Sequence, residues 1–202
     1  MRAFFSVLAT TGLLLGAGCV SSGGSVTSES LPNSSTAAHV AADTSTWKPY
    51  INVPCGLSLK YPSDAVFLSD GESGFTITSQ NDYDFQQQQE GEAPSAYYVS
   101  VSCKDLKTIF TENDSGLNGD APAPTLESFF EANTNPLIRK IGSATVGGKA
   151  AFAVTEGAGE SYSLWVPRGK QVDIFDFSYT TTTADDLSPI QEAILASIAF
   201  AE

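Results

Sequence analysis

One histidine, three cysteines and 23 carboxylates are the side chains of this chain with the most chemical capacity. Their spacing excludes most reactions. A Ser-His-Asp or Cys-His site needs an imidazole inside the fold to take the nucleophile's proton. The single histidine, His39, lies instead in a Ser/Thr-rich stretch with no hydrophobic period. The cysteines stand at 19, 55 and 103, without a C-x-x-C pair and without a histidine nearby. That spacing does not suit a zinc or dithiol redox motif. Asn113 to Asp120 has the composition of a calcium loop. With Asp114 at position 1 of an EF-hand, Asn118 and Gly119 fall at positions 5 and 6, but Gly116 and Thr125 then occupy the ligand positions 3 and 12. A Gly/Asn turn accounts better for the segment. No Gly-rich turn has the strand–G-x-x-x-x-G-K-[ST]–helix order of a phosphate loop. Paired-carboxylate hydrolysis needs two acids at a set separation, and no spacing singles out a pair. The expectation is a chain with no cofactor, no metal site and no catalytic residues.

Cys19 is the exception. It follows a cationic start at Met1-Arg2, an apolar run from Ala3 to Leu15, and the small residues Gly16-Ala17-Gly18. That is the three-part layout of a secretory signal. The run is shorter than the ~20 apolar residues that span a bilayer. Leu15-Gly16-Ala17-Gly18-Cys19 resembles the lipobox of bacterial lipoproteins, with Gly16 in the place that usually holds leucine. The resemblance implies cleavage before Cys19 and a thioether diacylglycerol on its sulfur, so that the partner of Cys19 is the lipid bilayer. Two or more acyl chains anchor stably, since each buried methylene contributes about 0.8 kcal/mol. Val20 after the cysteine implies sorting to the outer membrane where the source has two membranes.

Behind that anchor the composition changes. Ser and Thr fill 12 of the 27 residues from 20 to 46, broken by Gly23, Gly24 and Pro32. Such a segment buries too little apolar surface to offset its ordering entropy. The expected organisation is a signal over 1–18, a lipidated cysteine and flexible tether over 19–46, and one globular domain over 47–202. The net charge of −13 becomes about −14 once Arg2 is removed. That surface repels phosphates, which excludes sequence-independent nucleic-acid binding. Cys55 and Cys103 form an even pair in an exported domain and are expected to be a disulfide. The alternative is a reactive or metal-binding thiol pair.

Within 47–202, Leu57 to Tyr61 alternates apolar and polar as a half-buried strand does, and Phe75 to Thr78 does so again. Residues 79–95 are acidic and Gln-rich and read as an exposed loop. From 97 to 103, Tyr97, Val99, Val101 and Cys103 share one face and Tyr98, Ser100 and Ser102 the other. Thr125 caps a helix over 126–133 with the stripe Leu126, Phe129 and Phe130. A meander follows: Ile138 to Val146, the hairpin dipeptide Gly147-Gly148, Ala151 to Val154, Tyr162 to Val166, and Val172 to Tyr179. In the last of these the apolar face switches near Ile174, which predicts a bulge or burial on both faces. Ser188, Pro189 and Gln191 form a capping box with proline at N1, opening a final helix. The fold class is α+β, an antiparallel sheet of about six strands packed between helices.

Three stretches carry a family resemblance: Leu57-Ser58-Leu59-Lys60-Tyr61-Pro62, Ala144 to Ala151, and Ile194 to Phe200. Together they resemble small bacterial lipoproteins of the PsbP-like fold. The resemblance implies an assembly factor or binding module and carries over no catalytic residue. The expected function is a non-catalytic, lipid-anchored binding or assembly module of the cell envelope, with an envelope protein as partner. Tyr83, Phe85 and Tyr98, in or beside the acidic loop, are the candidate contact residues. The alternative is a divalent-cation binder using the acidic loops at 79–92 and 112–120.

Overall fold

Among the described residues, ten strands pair, and every pairing is antiparallel. The computed structural model describes residues 40–88, 97–112, 125–157, 161–177 and 181–201, with Phe85, Gln86 and Gln88 described by their backbone. Strands β1 (Lys48–Asn52) and β2 (Leu57–Tyr61) form a hairpin whose turn carries Cys55. Strands β3 (Val66–Gly71) and β4 (Gly74–Thr78) form a second one. Helix α1 (Gln80–Gln88) precedes β5 (Tyr98–Asp105), and α2 (Leu106–Glu112) follows it directly. After α3 (Leu126–Ala132) come β6 (Ile138–Val146), β7 (Lys149–Glu156), β8 (Ser161–Arg168) and β9 (Gln171–Asp176). Helix α4 (Pro189–Ala196) leads into β10 (Ala199–Phe200).

Seven strands make one sheet in the order β3-β4-β5-β9-β8-β7-β6, and β1-β2-β10 make a second. The large sheet is two meanders joined where β5 pairs with β9, from Ser100↔Asp176 to Asp105↔Gln171. Gly147 and Gly148, at φ +54° and +77°, supply the two left-handed positions of the β6–β7 turn.

Both faces of the large sheet are covered. On one face Phe75, Ile77, Val99, Val101, Leu164 and Phe175 pack against Leu57 and Leu59 of the small sheet and Ile194 and Ile198 at the end of the chain. On the other, Phe152, Val154, Trp165 and Val172 pack against Leu106, Ile109 and Phe110 of α2 and Leu126 and Phe129 of α3. This explains the face switch in β9. Its register is continuous against both β5 and β8, so there is no bulge near Ile174. Val172 belongs to one core, and Phe175 and Phe177 to the other.

Lys48–Asn52 is a strand, although its sequence alternates weakly. One expectation is corrected: residues 80–88 are helix α1 and not an exposed loop. No apolar stripe marks that helix. It is started instead by Ser79, whose hydroxyl accepts from the Asp82 N–H at 3.0 Å, and it runs through helix-tolerant glutamines. The helices over 126–132 and 189–196 carry the expected N-caps at Thr125 and Ser188; the capping box expected at Ser188 is present, and Thr125 forms one as well, with Ser128.

Candidate functional site

The residues expected to contact a partner lie on α1, at Tyr83 and Phe85, and at the start of β5, at Tyr98. Asp82 is buried, and its Oδ2 accepts from the Tyr97 N–H and the Thr78 hydroxyl, each at 3.3 Å. The Thr78 hydroxyl also reaches the Tyr97 carbonyl at 3.0 Å. From the other side, the buried Gln191 of α4 donates to the Tyr98 carbonyl at 3.1 Å. Its Oε1 closes the capping box on the Ser188 N–H at 2.8 Å. The Tyr97-Tyr98 step is therefore clamped between α1 and α4. Tyr83 and Tyr98 are half-buried, each adjacent to a clamped residue. Phe85 lies on α1, and its side chain falls outside the described atoms. The acid in the middle of the supposed loop is thus a structural acceptor turned inward. Its Oδ1 and the Tyr97 hydroxyl are buried without a hydrogen-bond partner. Burial first, then the charges of Asp64 and Asp82, push the Tyr97 phenol well above the usual tyrosine range.

Cys55 and Cys103 are joined as a disulfide with their Cα atoms 5.6 Å apart. The bond ties the β1–β2 turn to β5. Around it sits a charged node that the sequence does not announce. Arg168 donates to Asp173 through Nε and Nη2, and also to the Cys55 carbonyl. Gln171 Nε2 reaches Asp173 at 2.7 Å and the Cys55 carbonyl at 3.1 Å. The Arg168 guanidinium carbon stands 4.9 Å from the Phe200 ring centroid. The node locks the β8–β9 turn to the disulfide and to the last strand.

A polar cleft of about 200 Å3 opens on the α2 side of the large sheet. Register places Thr76, Ser100, Asp176 and Ser163 in one row across β4, β5, β9 and β8. The hydroxyls of Thr76 and Ser100 are 3.1 Å apart. Glu156 accepts from Ser163 at 2.9 Å and from the Trp165 indole at 3.3 Å. Lys104 and Glu112, paired at 2.8 Å, line the same cleft. The described lining holds carboxylates, hydroxyls and one ammonium, with neither imidazole nor thiol, so no nucleophile there has an imidazole beside it. Among the described residues no group of three or more His, Cys, Asp or Glu is placed to hold a metal ion. Sequence reasoning assigned Ser100 and Ser102 to the face away from the first core but missed the cleft. The signal was there: serine recurs at alternate positions, Ser100 and Ser102 in β5 and Ser161 and Ser163 in β8.

The chain matches no protein-family model and no curated protein. Among solved structures it is similar to the solution structure of a cyanobacterial PsbP (CyanoP) from Synechocystis sp. PCC 6803. The TM-score is 0.39 at 10% identity over 81% of this chain and 95% of that one. It is also similar to a protein of Bacteroides thetaiotaomicron, with a TM-score of 0.38 at 13% identity over 78% of this chain. The chain spans about half, 49%, of the Bacteroides protein's length. Neither likeness bears on ligand, partner or activity. Cys19, His39 and the segment 113–120 lie outside the described residues.

Proposed function

We propose that this chain is a lipid-anchored, extracytoplasmic binding or assembly module with a PsbP-like domain and no catalysis of its own. The observation that carries the reading is the Cys55–Cys103 disulfide. Such bonds persist in oxidising compartments, outside the cytoplasm. That is where a chain exported by residues 1–18 and held by acyl chains on Cys19 would work. With the other two cysteines paired, Cys19 is the one thiol left for modification. The partner in this reading is an envelope protein, and Tyr83 and Tyr98 beside the clamped step are its contact residues. They are half-buried aromatics on rigid elements, the kind of residue that dominates interface energies.

Two measurements test the two halves of the reading. Intact mass of the protein from native membranes should show diacylglycerol on a mature N-terminal Cys19. An unmodified cysteine, or a start elsewhere, would remove the anchor. Photo-crosslinking from positions 83 and 98 in intact envelopes should give one discrete protein adduct. Absence of any adduct at both positions retires the partner surface.

A further inference from the structure

The outer face of the small sheet is unlike the rest of the molecule. Along β1 the side chains of Tyr50 and Asn52 turn inward, leaving Pro49, Ile51 and Val53 outside. Ile51 is 69% exposed and Val53 79%. Ile51 pairs with Ser58, which pairs with Ala199, and Pro49 pairs with Lys60. The face is thus apolar with a lysine beside it. Residues 47–61 and 193–201 contain two lysines and no acid, in a chain with 23 acids against ten bases. The acids are therefore concentrated elsewhere on the domain.

Exposed aliphatic side chains on an acid-free face invite an occupant. Strand addition along the edge is disfavoured. The Lys60 N–H donates to the Ser197 hydroxyl at 2.8 Å, away from β1. Pro49, its partner, therefore turns its nitrogen to the free edge, where a proline has no N–H to give. A protein docked flat on the face would find too little surface. Three strands of at most five residues present on the order of 250 Å2. A stable interface takes about 800 Å2 per partner.

We propose that this face rests on an anionic lipid bilayer surface; the inference builds on the reading of Cys19 as the anchor. A small contact suffices for a tethered domain. The Ser/Thr-rich composition of residues 20–46 predicts a tether with an r.m.s. reach of about 25–30 Å, which keeps the domain at roughly millimolar effective concentration at the surface. The net negative charge opposes adsorption from solution, and the same charge orients a tethered domain. Repulsion is least when the acid-free face turns to the anionic headgroups, with Lys60 beside them. Ile51 and Val53 then sit at the headgroup boundary. In sequence, β1, which carries the face, is the first strand behind the expected tether.

The test separates the anchor from the face. The full chain is coupled through the Cys19 thiol to a maleimide lipid, which imposes the tether whatever the natural modification. Vesicles of phosphatidylglycerol and phosphatidylcholine carry a photoactivatable phospholipid, and adducts are mapped by mass. Adducts should concentrate on residues 49–60. They should fall by roughly tenfold in the Ile51→Ser/Val53→Ser variant. The Leu137→Ser/Ile141→Ser variant, altered at two exposed aliphatics elsewhere on the domain, should keep them. Raised salt should weaken the labelling, since the lysine contribution is screened. The uncoupled chain should give none. Adducts spread evenly, or unaffected by the 51/53 variant, overturn the proposal. So does crosslinking of this face to a second copy or to an envelope protein when a photoreactive residue replaces Ile51 in cells. Natural acylation is read separately by mass. An unmodified Cys19 defeats the anchor reading and leaves the coupled measurement valid.

Discussion

Asp173 has no exposed surface, and its charge is answered by Arg168 and by an amide from Gln171. A buried carboxylate left without its cation costs far more than the pair contributes, typically 3–5 kcal/mol. Arg168→Met should therefore lower the unfolding free energy by about 3 kcal/mol or more, read by urea denaturation. The double variant Arg168→Met/Asp173→Leu should recover much of the loss, because it removes both charges. A single variant with no effect would show that water reaches the node. Tyr50 makes a second prediction at this scale. Burial, then the hydrogen bond to Asp70, lifts its phenol to about 12. A folded pKa above the unfolded value of ~10 means the native state holds its proton longer. The stabilisation is complete below pH 10 and is lost as pH rises from about 10 to 12. The phenols of Tyr97 and Tyr162 are raised as well, so stability should decline steeply in that window. Tyr50→Phe should make the decline shallower without changing stability at neutral pH by more than about 1 kcal/mol.

Among the elements, β4 is the one most sensitive to a single methyl group. Gly74 has φ +146°, and a Cβ there would collide with the Val101 carbonyl and come within 2.8 Å of the Ser102 Cα. Gly74→Ala should cost several kcal/mol, since it strains the backbone and forces β4 away from β5. Thr125→Ala removes the α3 cap, whose hydroxyl accepts from Ser128 at 3.1 Å, and should cost about 1 kcal/mol. Thermal melts of the two variants should rank in that order. The same elements show what the sequence made legible. Caps with a side-chain signature, at Thr125 and Ser188, and strands with a strict period, such as Leu57–Tyr61, could be read directly. Helix α1 could not be read from hydrophobic period, because its sequence has no apolar stripe; the Ser79-x-x-Asp82 start was its local cue. Helix α2 was legible in principle from Leu106, Ile109 and Phe110 and from Asp105, which accepts from the Lys107 N–H at 2.8 Å. The cleft and the Arg168 node were less so, because both depend on strand order, and local pattern does not encode that β5 lies beside β9.

At the scale of the molecule, the disulfide is a covalent cross-link between the two sheets in addition to the chain itself. It joins the β1–β2 turn to the middle of the large sheet and closes a loop of 48 residues. In the loop-entropy account such a closure contributes about 4 kcal/mol. That is a large share of the 5–15 kcal/mol by which a domain is usually stable. The large sheet has a second core on its other face, independent of the bond, held by α2 and α3. The small sheet depends on the first core alone. Cys55→Ala/Cys103→Ala should therefore lower the melting temperature by about 8–16 °C, at 2–4 °C for each kcal/mol in a domain of this size. The urea m-value should rise, because the unfolded chain, no longer cross-linked, exposes more surface. If the loss instead came from the native state, the m-value would stay put. Hydrogen exchange of the variant should then separate the sheets: amides of β1, β2 and β10 should open first, while β7 and β8 keep their protection. Uniform loss of protection in both sheets would mean that the bond holds the large sheet together as well.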